Sequence, residues 1–393
     1  MSAPVPLRLT APTSRPARLS ATIKHLAGEH GLTVSAITSA NPFPDLEPVL
    51  IDRIDAGRLA GLDWFTADRA RFSTAPRNLQ SSARSIVAVG VAYWSVDPGK
   101  PDDGEPRGRI ARYAWGVDYH DLLKDRMQGL HGAIEREVGR TIEARFLVDT
   151  ARIVDRAVAA RSGLGWYGKN ACIIVPGHGS WVMLGELLLD LELEPDSPLD
   201  QNCGRCQICL DRCPTGAIVA PYTIDTPRCL SFQTIEQRGA IPRELRSLLG
   251  DWVFGCDVCQ DVCPYTKAAR PEPDPAFLPA SVENAYPSLR RLLALTPEAY
   301  RQTYRGTAVT RTKRRGLARN AAVVLGNVGT TDDVPFLAAA LSDHDEPLVR
   351  EHAAWALGRL GGRVAKSAMD RRRKRETDPA VVAEIAHALI DMS

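Results

Sequence analysis

The feature that most constrains this chain is a run of cysteines, Cys203-x2-Cys206-x2-Cys209-x3-Cys213-Pro214, followed by a shorter one, Cys256-x2-Cys259-x3-Cys263-Pro264. The first has the spacing with which ferredoxins hold cubane iron–sulfur clusters, where three cysteines ligate one [4Fe–4S] cluster and the fourth reaches across to another. Two cubanes need eight thiolates; the two runs supply seven, and Cys229 between them is the natural eighth. Crossing the fourth ligands assigns Cys203, Cys206, Cys209 and Cys263 to one cluster and Cys213, Cys229, Cys256 and Cys259 to the other. Cys172, set apart in CIIV, is left over and reads as a small buried apolar residue. The alternative is zinc, for which C-x2-C pairs are also standard, although zinc sites seldom take so tightly packed a run. Two neighbouring clusters form an electron relay, so the chain is a redox enzyme or an electron carrier.

Clustered thiols point to a reducing cytosol, where cysteines hold metal more often than they form disulfides. The first residues, MSAPVPLRLTAPTSRPARLS, contain no apolar core of a secretory signal. The longest apolar stretches, 86–94 and 181–193, are too short for a membrane span, and Glu186, Asp190 and Glu192 interrupt the second. With 393 residues, 44% apolar and 24% charged, the composition is that of a globular protein of two or three domains. A net charge of +2 names no partner, but residues 301–393 carry +5, so a polyanion is sought there.

Residues 1–19 lack periodicity and read as a flexible extension. Residues 20–195 read as a mixed α/β domain, with a helix over 20–30, a buried strand over 84–93 (RSIVAVGVAY) and an amphipathic helix over 119–139. A second strand, 144–148, ends at Asp149, and the open tip of a rigid strand suits chemistry. The glycine-rich stretch 163–193, beginning GLGWYGKNACIIVPGHGSWVMLGELLLDL, fits neither a dinucleotide fingerprint nor a phosphate loop. Its glycines permit either close approach of a large flat ligand or the tight turns of an α/β core. Residues 196–270 form the two-cluster domain, and a proline-rich connection over 269–279 leads to a helical domain, 271–393. There LARNAAVVLGNVG (317–329) is echoed by VREHAAWALGRLG (349–361), aligning Ala322 with Ala354, Leu325 with Leu357 and Gly326 with Gly358. That 32-residue period marks stacked helix pairs of the HEAT type.

The motifs VDTARIVDRAVAARSGLGWYGKN, GSWVMLGELLLDL, CGRCQICLDRCPTGAI, RCLSF and GCDVCQDVCPY, in that order and followed by HEAT-like helices, resemble the epoxyqueuosine reductase family from about residue 20 to the end. The resemblance implies an α+β protein with a nitroreductase-like cobalamin-binding core, a ferredoxin-like domain with two [4Fe–4S] clusters and C-terminal HEAT-like α-helical repeats. It implies a cytoplasmic, monomeric enzyme that reduces epoxyqueuosine to queuosine at the wobble position of tRNAs for Tyr, His, Asn and Asp. That is the last step of queuosine biosynthesis; its partners are the tRNA anticodon stem-loop and an external electron donor such as a flavodoxin or ferredoxin.

Carried over by motif position, the cobalamin neighbours are Ala111, Asp149, Ile173, Leu184 and Ser231, and an upstream arginine contact falls at Arg69 or Arg71. The base-off motif D-x-H-x-x-G is only grazed by Asp118-Tyr119-His120, because Leu123 replaces its glycine, so His120 reads as a helix residue and not a cobalt ligand. Asp149 matches the family's proton donor, a role that asks for a pKa raised by burial; the structural alternative is an N-cap for a helix starting near Arg152. Lys169 reads as a corrin or tRNA contact or as an exposed turn lysine. Arg311, Lys313, Arg314, Arg315 and Arg319, and the run 371–375, read as RNA phosphate contacts or solvated faces. The competing functions are a reductive dehalogenase-like corrinoid iron–sulfur oxidoreductase and a ferredoxin-like electron carrier.

Overall fold

An antiparallel sheet buried on both sides organises the first half of the chain. The computed structural model describes residues 14–269 and 273–392. In chain order come α1 (Arg15–Glu29), β1 (Val34–Ser39), α2 (Leu46–Asp55), α3 (Ala67–Ser73), β2 (Ser85–Ala92), β3 (Arg109–Ile110) and α4 (Tyr119–Val138). β4 (Ala144–Leu147), α5 (Asp155–Arg161), β5 (Trp166–Tyr167), β6 (Ile173–Ile174) and β7 (Val182–Leu189) follow. Four of these strands form one sheet in the order β1-β2-β7-β4, every neighbour antiparallel.

Every residue of β2 is buried because helices cover both faces, which is why its sequence reads as one apolar run and not an alternation. Val87, Val89 and Val91 pack with Ile23 and Ala27 of α1 and Leu123 and Met127 of α4. Ile86 and Ala88 pack on the opposite face with Ala157 and Val158 of α5. The last five residues of β7 are buried too, and one of them is not apolar: Glu186, 1% exposed, stands in register with Ala88 and Leu147.

The expected strand over 84–93 and helix over 119–139 are present, the helix ending at Gly139 in the left-handed conformation that glycine adopts without cost. Two boundaries differ from expectation. α1 starts at Arg15, where the Ser14 side chain accepts from the Ala17 amide at 3.1 Å and Pro16 sits in the first turn, so residues 15–19 belong to a helix and not to the expected extension. Arg15 and Arg18 carry no apolar periodicity that would reveal this. The remainder of the extension, 1–13, and residues 270–272 of the proline-rich connection lie outside the described residues. The helix after Asp149 begins at Asp155 with Val154 in the capping position, so Asp149 caps nothing and the N-cap alternative falls.

β3 pairs in parallel with the strand Trp252–Phe254, joining the α/β half to the cysteine region. Beyond it, helices Lys313–Val328, Val334–Asp343, Pro347–Leu360, Gly362–Arg373 and Pro379–Asp391 stack as two helix pairs and a closing helix. The 32-residue echo has a steric cause. A Cβ on Gly326 would lie 2.8 Å from Trp355, and one on Gly358 2.8 Å from Ala388, so each glycine admits the next helix at the same point of the repeat. Among the described residues no helix is long and apolar enough to cross a membrane.

One basic residue departs from the reading of a phosphate-binding cluster. Arg319 is fully buried, donating to the carbonyls of Gln233 (2.6 Å), Gln237 (2.8 Å) and Gly239 (2.7 Å). It ties the first repeat helix to the segment that follows Cys229 and is not available to RNA.

Candidate active site

Asp149 stands where β4 runs out, two residues past its last strand position, with a left-handed backbone (φ 45°) that a non-glycine residue adopts only when its surroundings hold it there. The Tyr119 hydroxyl donates to Asp149 Oδ2 at 2.9 Å, and His120 Nε2 lies 3.4 Å from the same oxygen. On its other side His120 Nδ1 lies 2.7 Å from Asp118 Oδ1. Asp118 caps α4 by accepting from the His120 amide at 3.0 Å, so the N-terminus of that helix fixes the histidine between two carboxylates. Arg69 braces the loop from behind, donating to the Ala151 carbonyl at 3.2 Å while its guanidinium lies over the Trp64 ring at 4.6 Å.

These contacts decide where the proton sits. Burial works against charge on His120, but hydrogen bonds to Asp118 and Asp149 outweigh it and push the imidazole up to about 9. Burial alone would raise Asp149 as well, yet the adjacent His120 ring and the hydrogen bond from Tyr119 hold its carboxyl below the ordinary carboxylate range. The expectation that Asp149 itself carries a raised pKa is therefore corrected. Both directions favour a carboxylate beside an imidazolium, with the proton on His120. His120 is part of the site through Asp149, a role its position in the sequence did not signal.

Asp149 opens onto a cavity of about 820 Å³ whose walls include Phe43, Leu46, Phe65, Ile153 and Tyr167. The large volume, the mostly apolar wall and arginines at Arg53 and Arg69 suit a bulky, amide-rich cofactor better than a small metabolite. Of the two upstream arginines, Arg69 lines this cavity, whereas Arg71 turns to Asp68 and Glu47. None of Ala111, Ile173, Leu184 and Ser231 is among the residues lining it. Ile173 and Leu184 belong to the apolar cluster behind the wall, together with Phe43 and Ile153. Ala111 is buried against Gly255, and Ser231 precedes the short helix Phe232–Glu236.

The thiols fall into the two groups that the crossed spacing gives. Cys203, Cys206, Cys209 and Cys263 surround one small cavity with Lys169, Asn170 and Ile174. Cys229, Cys213 and Cys256 lie within electrostatic reach of one another, as do Cys259, Cys256 and Cys229. Burial raises the Cys209 thiol to about 11 and drives Cys229, Cys256 and Cys203 upward too, so these sulfurs become thiolates only when bound cations stabilise them. The spacing of the two runs, and not a difference in side-chain type, is what favours clusters over zinc here. Two sets of four thiols fit cubanes.

Two residues near the thiols differ from expectation. Lys169 is neither an exposed turn lysine nor aimed at the large cavity; its ammonium donates to the carbonyls of Gly204 (2.8 Å) and Cys206 (2.9 Å), holding the first cysteine loop. Cys172 is only half-buried, where a buried apolar residue was expected, and its thiol shares a hydrogen bond with Cys259, so it borders the second thiol group instead of lying apart from it.

On the helical repeats, Lys313 and Arg315 are exposed, as are Arg371, Arg373, Lys374 and Arg375. Arg311 pairs with Glu236 (2.7 and 3.0 Å) and is near enough to Asp149 to feel its charge. Arg314 and Arg372 are mostly sequestered by Asp345 and Glu376.

Three family profiles match the chain: epoxyqueuosine reductase QueG over residues 74–150, a 4Fe–4S double cluster binding domain over 202–266, and HEAT repeats over 308–390. The chain is 37% identical to the epoxyqueuosine reductase of Pseudomonas aeruginosa over 91% of its own length and 99% of that protein. It is 35% identical to that of Bacillus anthracis, covering 91% and 93%. A solved epoxyqueuosine reductase with an epoxyqueuosine-modified tRNA-Tyr stem loop matches with a TM-score of 0.89 at 31% identity, covering 95% of this chain and 99% of that one. The Bacillus subtilis epoxyqueuosine reductase, in a structure with its catalytic loop swung out of the active site, also gives 0.89 at 31% identity, covering 96% and 99%. With identity at this level along nine-tenths of its length, the chain belongs to the epoxyqueuosine reductase family.

Proposed function

We propose that this protein reduces the epoxide of epoxyqueuosine in the anticodon loop of tRNA, giving queuosine. The reaction takes two electrons and two protons, breaks both bonds to the epoxide oxygen, forms the carbon–carbon double bond and releases water. The observation that carries the reading is the Asp118–His120–Asp149 chain at the rim of an 820 Å³ cavity, in a protein whose thiols gather as two sets of four.

Cobalamin fits the large cavity, with Arg69, Trp64, Phe43 and Tyr167 as its walls and Ile173 and Leu184 behind them. Ala111 and Ser231 complete the family's contact positions. Bound there, it supplies a low-valent cobalt for the two-electron chemistry, and the [4Fe–4S] clusters supply electrons one at a time. The protein's own groups handle charge and geometry. Breaking a C–O bond leaves negative charge on oxygen, and a proton delivered in the transition state is worth roughly 10²- to 10⁴-fold in rate. When the substrate closes over Asp149 and strips its water, the carboxylate gains proton affinity, and the His120 proton passes to it and on to the oxygen. Tyr119 fixes the carboxylate in place, and Arg69 holds the loop that carries it.

The tRNA approaches from the side of Lys313, Arg315 and Arg311, with the run 371–375 farther along the repeats engaging backbone phosphates. Substrates in this reading are the tRNAs for Tyr, His, Asn and Asp, modified at the wobble position. The enzyme works in the cytoplasm as a monomer charged by a flavodoxin or ferredoxin. Its working units are the α/β domain 20–195, the two-cluster domain 196–270 and the tRNA-binding repeats 271–393. The dehalogenase and carrier readings are disfavoured by relatives that match along almost the whole chain under one name. The test is turnover by the purified protein, with clusters and cobalamin reconstituted, of an epoxyqueuosine-modified tRNA-Tyr stem loop under a chemical reductant. Queuosine is expected in the digested product, and unchanged epoxyqueuosine with fully loaded enzyme rejects the reading.

A further inference from the structure

The reduction consumes two protons, and the Asp149–His120 pair holds one. Behind it lie two acids that nothing above uses. Asp155, the first residue of α5, and the buried Glu186, in the middle of β7, bring their carboxyl groups within hydrogen-bonding reach of each other. Glu186 stands opposite Leu147, two residues short of Asp149, on a sheet face whose other members include Ala88, Leu147 and Leu188. Neither Asp155 Oδ1 nor Glu186 Oε2 meets a donor among the described residues. Two carboxylates are acceptors only, so a hydrogen bond between them requires a proton, and two bare charges on that apolar face would be far too costly.

The neighbours agree. Burial and the charge of Asp149 raise Asp155 to about 6 and drive Glu186 well above the ordinary carboxylate range. The charged and titratable groups facing the pair are Asp149 from the strand tip, Arg156 on α5, Arg69 on α3 and Tyr167 on β5. The arginines bear on Asp155, so the proton is held on the Glu186 side. Asp155 and Asp149 line the same cavity, where water can connect them.

We propose that the Asp155–Glu186 pair is a proton store that recharges Asp149, supplying the second proton of the reduction. The O–H bond of the stored acid breaks, an O–H bond forms on the Asp149 carboxylate, and that proton passes to the hydroxyl as it departs as water. A solvent proton entering through the cavity refills the pair. Both acids act through Asp149 and are positioning residues.

The proposal rests on the functional reading above, and two measurements separate the two. Infrared spectra of the purified, cluster-loaded protein at neutral pH should contain the carbonyl stretch of a protonated buried carboxyl. It should shift in heavy water and vanish in Glu186→Gln. In stem-loop turnover, Glu186→Gln and Asp155→Asn should each lower kcat about tenfold or more with KM unchanged. Their activity should fall away at lower pH than that of the wild type, and Glu186→Asp should restore part of the rate. An absent carboxyl band, or an active wild type whose variants match it in kcat and pH profile, overturns the store alone. A wild type that shows the band but leaves epoxyqueuosine untouched overturns the functional reading and the store's role with it. Where Glu186→Gln loses its cluster absorbance, displacement of the band in Glu186→Asp decides, and an unmoved band overturns the store.

Discussion

Cys203, Cys206 and Cys209 reach a common cavity within seven residues of chain, whereas the proton-handling groups Asp118, His120, Asp149, Asp155 and Glu186 are spread over residues 118–186 and meet only when the sheet closes. The electron side of the site is built by local spacing and the proton side by strand register. Two short runs brought together supply seven of the eight thiols, and Cys229 between them supplies the last. A proton relay, by contrast, inherits its geometry from α4, β4, α5 and β7 at once, so one misplaced residue in any of them disconnects it.

The comparison makes predictions that differ in kind. The largest effect belongs to the thiols. Cys263→Ala should remove the cluster held by Cys203, Cys206 and Cys209, cut bound iron by about half and abolish turnover. Iron analysis with electron paramagnetic resonance checks this, and loss of the signal belonging to Cys256 and Cys259 instead would reverse the crossed assignment. Next comes Asp149→Ala, which should lower kcat by about 10²- to 10⁴-fold while cluster absorbance and stem-loop affinity stay as in the wild type. A variant with ordinary turnover would remove Asp149 from the chemistry.

Arg319→Ala should cost about 1–3 kcal/mol in denaturant unfolding, because it takes the donor from the buried Gln233 carbonyl and from two partly buried ones, and it should not alter the salt dependence of RNA binding. His120→Gln has a smaller, pH-dependent effect. The folded-state pKa of His120 is raised to about 9 from the ordinary 6.5, so its contribution to stability is fully present below about pH 6.5 and lost as pH rises through 9. Wild type and variant should therefore differ in Tm at pH 6 and converge near pH 9.5, and a gap that widens with pH would contradict an imidazolium at this site. The smallest effects belong to Lys313→Ala and Arg315→Ala, each expected to reduce the slope of log affinity against log salt by about one and to leave stability unchanged.

How much of this was legible in the sequence follows the same division. Cysteine spacing carried both thiol groups, and the 32-residue echo carried the helical repeats, because each is a local pattern imposed by one contact type. Asp149 was legible from its place at a strand end and from the family motif. Its partner His120 was not, because Asp118-Tyr119-His120 reads only as a helix start. Glu186 was visible merely as an interruption of an apolar run, and its meaning depends on which residue of β4 stands opposite. Arg319 looked like any member of a basic cluster, since a charge pattern on a helix does not reveal which turn a neighbouring segment covers. Lys169 misled for the same reason, its partners being carbonyls some 35 residues away in sequence.

The most direct test of the central claim is mass spectrometry of nucleosides from the tRNA of a host strain lacking this gene, with the wild-type gene and the Asp149→Ala gene restored in turn. Epoxyqueuosine should accumulate in the deletion, disappear in favour of queuosine with the wild type, and persist with the variant. Queuosine at the wild-type level in the deletion strain, with no second epoxyqueuosine reductase present, would contradict the account.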